Sequence, residues 1–212
     1  MLKPDSLIFD LDGTLWDALD TYLESWNEGA KIENLNRVFT RDDLHYVMGW
    51  ERSKVLSHFF PEMDEEGRER VYKTINECRL RLMPERGGVM YEGVREGLIK
   101  LSEKYKLFIV SNCPENLIVE FLKWADLEKY VTDEMAHGVN SMPKHYNIKL
   151  LVDKYDLKTP VYIGDTLGDE LETRKAGLPF VLLTYGFGST ENFDLKFDDF
   201  ITFTEYFMNL ED

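Results

Sequence analysis

The chain has 212 residues, 43% of them hydrophobic and 13% aromatic, which is enough for one sizeable core or a core with a smaller inserted domain, and too apolar for a disordered protein. Its 40 acidic and 25 basic residues give a formal charge of −15, which opposes binding to nucleic acid or an anionic membrane, so an anionic ligand has to be drawn in by local cations. The first residues lack the basic and long apolar regions of a signal peptide, and no apolar run approaches the roughly 18 residues of a membrane span, so cytoplasmic residence is expected.

Leu7-Ile8-Phe9 reads as a short buried strand, and the following Asp10 and Asp12 project to the same side because side chains in a strand alternate with period 2. Gly13 permits a tight turn, and Thr14 offers a hydroxyl to an anion or a carboxylate. From 19 to 84 there are helical patterns and no convincing strand, as in an all-α insertion. Leu19, Tyr22, Leu23 and Trp26 recur at helical spacing, and Thr40 with Asp43 opens a helix over 41–48. Pro61 ends another helix, over 52–60, and Val71, Ile75, Cys78 and Leu82 form the stripe of an amphipathic helix over 64–82. Pro84 and Gly87-Gly88 then mark a hinge. Gly49-Trp50-Glu51-Arg52-Ser53-Lys54 joins two of these helices and reads either as a substrate loop or as an ordinary basic helix start.

Beyond Tyr91 helices and apolar strands alternate: helix 94–104, strand 107–110, helix 115–124, a strand near 131, helix 145–154, strand 161–163, helix 168–175 and strand 180–183. The stretch after Tyr185-Gly-Phe-Gly188 reads as loop, and 200–203 as a last strand. Such alternation predicts βα units with right-handed crossovers and a parallel sheet. Three strand ends carry candidate chemistry. Asp10 and Asp12 follow the first; Ser111, Asn112 and Cys113 follow the second; Gly164-Asp165-Thr166-Leu167-Gly168-Asp169 follows the third and adds two more carboxylates, a hard oxygen set that suits Mg²⁺. Cys113 is read as a packing residue in preference to a nucleophile, and with Cys78 far away no disulfide framework is expected.

Asp10-Leu-Asp-Gly-Thr14 after an apolar strand resembles the first motif of the haloacid dehalogenase-like superfamily, most of whose members are magnesium-dependent phosphatases. Ser111, Lys144 in Ser141-Met-Pro-Lys144, and Gly164-Asp165…Asp169 resemble its remaining motifs in order, and Ala176-Gly177 also matches. The helical insertion between the first two core strands is placed as in the phosphoglycolate phosphatase-like and β-phosphoglucomutase-like branch. The resemblance therefore implies an α/β fold: a Rossmann-like parallel-sheet core of residues 1–17 and 88–212, with an all-α helical-bundle cap at 18–87 that closes over the site.

The same resemblance implies roles. Asp10 is the nucleophile that forms an aspartyl-phosphate, and Asp12 is the general acid and base, with a raised pKa. Thr14, Ser111, Asn112 and Lys144 bind the substrate phosphate. Asp10, the Asp12 carbonyl, Asp165 and, directly or through water, Asp169 hold Mg²⁺. Many relatives place Pro directly after the lysine, whereas here Pro143 precedes Lys144 and His145 follows it; Lys149, one helical turn on, is the alternative. The implied activity is hydrolysis of small phosphorylated metabolites by a monomer or homodimer. A phosphomutase of the β-phosphoglucomutase type keeps the same motifs, and a non-catalytic phosphate-binding protein on the same fold is the other alternative. Asp12 disfavours a dehalogenase.

Overall fold

The computed structural model describes residues 3–211. The chain divides into two compact units: one comprises the residues up to Trp16 together with those from Met90 onward, and the other is Asp17–Val89. In chain order the elements are β1 (Ser6–Phe9), β2 (Trp16–Asp17), α1 (Leu19–Ile32), α2 (Arg41–Val47), α3 (Arg52–Phe59), α4 (Glu65–Arg86), β3 (Val89–Met90), α5 (Val94–Ser102) and β4 (Lys106–Ser111). There follow α6 (Leu117–Trp124), β5 (Asp133–Ala136), α7 (His137–Asn140), α8 (Lys144–Tyr155), β6 (Pro160–Gly164), α9 (Leu167–Ala176), β7 (Phe180–Leu183), β8 (Leu195–Phe197) and α10 (Phe200–Asn209).

The first unit is built on a six-stranded sheet in the order β5-β4-β1-β6-β7-β8, in which neighbouring strands run parallel. A parallel sheet is covered on both faces, so its inner strands are continuous apolar runs, and β1, β6 and β7 are buried at every position. Alternate residues feed opposite layers. Ile8, Phe108, Val110, Tyr162, Phe180 and Leu182 pack with Ile148 and Leu151 of α8, while Phe9 turns the other way onto Phe200 and Phe203 of α10, with ring centroids 6.0 and 5.9 Å apart. From β1 the chain builds outward through β4 and β5, then returns to the other side of β1 for β6, β7 and β8. Strand order reverses at β1 and β6, and in open α/β sheets the crevice beyond the carboxyl ends at such a point is where ligands bind.

Three expectations fail in this unit. Residues 200–203 are not a strand but the start of α10. Phe200, Phe203 and Phe207 recur at helical spacing on the buried stripe, and Asp199 caps the helix by accepting the Thr202 N–H at 2.7 Å. The strand expected near 131 lies at Asp133–Ala136, in register with β4 through Phe108 opposite Asp133. The short edge strand β8 falls in what reads as loop, and among the described residues no helix is long and apolar enough to cross a membrane.

The second unit contains α1 to α4. Gly29 of α1 meets Ile75 of α4 so closely that an added Cβ would lie 2.6 Å from Ile75 Cγ1. Trp26, Phe39 and Phe59 cluster edge to face, with Trp26–Phe39 centroids 5.0 Å apart, and the Arg37 guanidinium lies over Phe39 and Phe59. Thr40 and Asp43 form the expected capping box on α2. Helix α4 overruns its expected end. Pro84 sits inside its last turn on the solvent side, where its missing N–H costs one ladder bond, and the helix stops at Gly87, with φ +61°, whose N–H donates to the Met83 carbonyl at 2.8 Å.

Candidate active site

The sheet sets the first carboxylate. The Asp10 N–H donates to the Ile163 carbonyl at 2.8 Å, prolonging the β1–β6 ladder by one residue and leading the buried Asp10 side chain out at the reversal point. Lys144, the first residue of α8, donates to Asp10 Oδ1 at 2.9 Å and to Asp169 Oδ1 at 2.5 Å, with only 2% of its surface exposed. Lys149 is exposed, so Lys144 is the lysine that the fold brings to the carboxylates.

Asp165, just beyond β6, accepts the Thr14 hydroxyl on Oδ1 at 2.9 Å and the Phe187 N–H on Oδ2 at 2.7 Å. Backbone crowds this carboxylate from two sides. Gly13 has φ +88°, and a Cβ there would stand 2.3 Å from Asp165 Oδ2; a Cβ on Gly186 would stand 2.3 Å from Asp165 Cβ. Asp169 is the third residue of α9. Its Oδ2 accepts the Thr166 N–H at 3.0 Å and hydroxyl at 2.7 Å, and its own N–H donates to Thr166 Oγ1 at 3.1 Å, so it completes a capping box while its other oxygen holds Lys144.

Asp10, Asp165 and Asp169 each offer an oxygen within 4.8 Å of the others, and all three are buried. Burial pushes the Asp10 carboxyl up to about 6, Lys144 pulling it back and Asp169 pushing it further. Burial, then Asp169 and Asp10, hold Asp165 well above the usual carboxylate range. Burial pulls the Lys144 ammonium down, but Asp10 and Asp169 outweigh it and hold it well above the ordinary lysine value. Three carboxylates against one ammonium leave two negative charges unbalanced when all are ionised. A buried, all-oxygen set with that deficit fits a hard divalent cation.

The remaining expected residues fall as follows. Ser111 is buried at the end of β4, and Ile109 opposite Phe9 puts it one residue beyond the level of Asp10, with Asn112 next and half-buried. Thr14 is fully buried, and its hydroxyl donates to Asp165 Oδ1. Cys78 and Cys113 are both buried and form no disulfide. In the helical unit Lys54 Nζ lies 3.7 Å over the Trp50 ring and Arg52 pairs with Glu69 at 3.5 Å.

Sequence reasoning missed the supports. Trp16 Nε1 donates to Asp12 Oδ1 at 3.0 Å, fixing one carboxylate oxygen. The Phe187 N–H and Gly186 belong to Tyr185-Gly-Phe-Gly188, whose glycine-rich loop at a strand's carboxyl end was the available signal. Glu172, on α9, reaches back to His145.

Residues 7–183 match the family model described as haloacid dehalogenase-like hydrolase. The chain is 27% identical over 211 residues to a phosphoglycolate phosphatase of Agrobacterium fabrum, covering 93% of this chain and 89% of that one. It is 28% identical over 192 residues to the pyrophosphatase PpaX of Listeria welshimeri, covering 85% of each. The fold is similar to that of a haloacid dehalogenase-like family hydrolase from Streptococcus pneumoniae, with a TM-score of 0.84 at 19% identity over 98% of this chain and all of the other. With more than half its length matched by the family model, and with the parallel sheet and carboxylate cluster described above, the chain belongs to the haloacid dehalogenase-like hydrolase family.

Proposed function

We propose that the protein is a magnesium-dependent phosphatase of small phosphorylated metabolites, acting in the cytoplasm through an aspartyl-phosphate on Asp10. The observation that carries this reading is the buried Lys144 ammonium bonded to both Asp10 and Asp169, with Asp165 beside them, at the reversal point of a parallel sheet. The names of the phosphoglycolate phosphatase and pyrophosphatase relatives support phosphate chemistry, and the helical unit Asp17–Val89 is read as the cap.

Asp10, Asp165 and the Asp12 carbonyl would hold Mg²⁺. Asp169, whose two oxygens already serve Lys144 and the α9 cap, would act through water. The metal supplies charge neutralisation for nucleophile and phosphoryl group. An Asp10 oxygen attacks phosphorus, a new P–O bond forms to the carboxylate and the ester P–O bond breaks. The leaving oxygen takes its proton from Asp12, whose Oδ1 accepts the Trp16 indole N–H. Water then attacks the same phosphorus and gives its proton to Asp12; inorganic phosphate leaves and the Asp10 carboxylate is restored. Lys144 neutralises Asp10 beforehand and the transferring oxygens in flight, while Ser111 and Asn112 supply donors to the phosphate.

The test is phosphate release from an aryl phosphate and a panel of metabolite phosphates, in Mg²⁺ and in EDTA, beside Asp10→Asn. Metal-dependent release that the variant abolishes without unfolding is expected. Release that survives in Asp10→Asn would refute the aspartyl-phosphate route.

A further inference from the structure

Helix α8 starts without a cap of its own. Pro143 occupies the N-cap position and offers no side-chain acceptor, so the N–H groups of the first turn depend on acceptors from elsewhere. The turn's later amides, those of Tyr146 and Asn147, bond to the Pro143 carbonyl at 3.0 and 3.3 Å. The His145 amide finds its acceptor on a different helix: Glu172 Oε2 of α9 takes the His145 N–H at 3.0 Å and lies 2.7 Å from His145 Nδ1. The other oxygen, Oε1, takes Lys175 Nζ at 2.6 Å.

Asp169 and Glu172 stand three residues apart on α9 and so share a face. Asp169 takes the side chain of Lys144 and Glu172 takes the backbone of His145, so one face of α9 grips two consecutive residues of α8. A lysine at the first position of a helix has its stem directed by that turn. If the turn frays, the stem swings and the ammonium leaves its place between Asp10 and Asp169.

We propose that Glu172 is a positioning residue for Lys144, supplying from α9 the N-cap that α8 lacks. It touches neither substrate nor the reacting groups; it acts through the His145 amide on the direction of the neighbouring lysine. A carboxylate is suited to the place because it accepts from the amide and the ring together and also complements the positive end of the α8 dipole. The inference rests on the proposed function only for its effect on rate; the geometry it claims is independent of the reaction.

The experiment compares Glu172→Ala, Glu172→Gln and the double variant Glu172→Ala/Pro143→Ser with the unaltered protein. Ser at the N-cap position gives α8 a cap from its own chain. The first readout needs no activity: the rate at which Lys144 is acetylated by acetic anhydride, followed by peptide mass spectrometry against the exposed Lys149. Glu172→Ala is expected to raise Lys144 labelling at least tenfold with Lys149 unchanged. Glu172→Gln, which keeps an acceptor oxygen, stays within threefold of the parent, and Pro143→Ser returns the Ala variant toward it.

The second readout is steady-state phosphate release. The Ala variant is expected to lose tenfold or more in kcat/KM, and the serine cap to restore most of it. Labelling that does not change in a folded Glu172→Ala protein overturns the positioning role, as does a Glu172→Ala defect, whether loss of fold or of rate, that Pro143→Ser does not rescue. An absence of phosphate release from the parent, with labelling that responds as stated, would overturn the phosphatase reading and leave the positioning role standing.

Discussion

Stripped of divalent cations, the protein should gain stability as the pH falls from 7.5 to 5, and Asp10 should account for a definable share of that gain. Burial raises the Asp10 carboxyl from 3.8 to about 6 in the folded chain, so between these values the native state holds a proton that the unfolded chain has released. Stability from such a group is present in acid and is lost as the pH rises through the folded value. For this one group the integrated difference between pH 5 and pH 7.5 is on the order of 1 kcal/mol, rising toward about 3 kcal/mol below pH 4. Asp165, also raised by burial and by its two neighbours, adds in the same direction. The window avoids the opposite case: Glu172 is lowered to about 2, burial being outweighed by Lys175 and His145, so its stabilising effect is present above 4.5 and lost only in stronger acid. Urea unfolding at both pH values in EDTA, for the protein and for Asp10→Asn, measures the share directly, and the variant should gain at least 1 kcal/mol less on acidification. In saturating Mg²⁺ the carboxylates are held ionised and the difference should disappear. Parallel pH profiles for the two proteins in EDTA, within about 0.5 kcal/mol, would refute the account of a cluster short of positive charge.

Two further substitutions probe the supports. Gly186→Ala puts a methyl 2.3 Å from Asp165 Cβ and 2.4 Å from the Gly13 carbonyl oxygen, so overpacking of about 1–3 kcal/mol is expected, together with a weaker Mg²⁺-induced rise in Tm; an unchanged rise would show that the loop does not hold Asp165. Thr173 has a buried hydroxyl without a hydrogen-bond partner among the described residues, so Thr173→Val should be neutral or stabilising by up to about 1 kcal/mol, and a fall in Tm of several degrees would contradict it.

The inner strands were legible because both faces of the sheet are covered: β6 and β7 are apolar throughout, β1 is apolar after Ser6 and β4 between Lys106 and Ser111, and such runs need no periodicity to be found. The edges were not. In β8 Leu195 and Phe197 are half-buried around an exposed Lys196, and three residues are too few for an alternating pattern to register. In β5 the strand opens on Asp133 and Glu134, residues that read as loop until Phe108 is known to lie opposite. Residues 200–203 carry strand-favouring types, Phe, Ile and Thr, but the spacing of 200, 203 and 207 and the cap at Asp199 decide for helix.

The site divides in the same physical way. A proposed nucleophile or metal ligand must be a particular side chain, so Asp10, Asp12 and Asp165 beyond the strands and Asp169 in the first turn of α9 are visible by residue type. A support need only put a donor or a space in the right place. The Phe187 amide could belong to any residue but proline, Gly186 contributes the absence of a side chain, and Thr14 meets a carboxylate 151 residues away. Lys144 stands between the two classes, for lysines are common and its sequence setting, after Pro143, is unremarkable. What sets it apart is an ammonium withdrawn from water and bonded to two carboxylates, an arrangement tolerable only because both are there. Its identity as the site's cation is therefore a property of α8 and α9 together, carried by Asp169 on one helix and by the turn that Glu172 secures on the other.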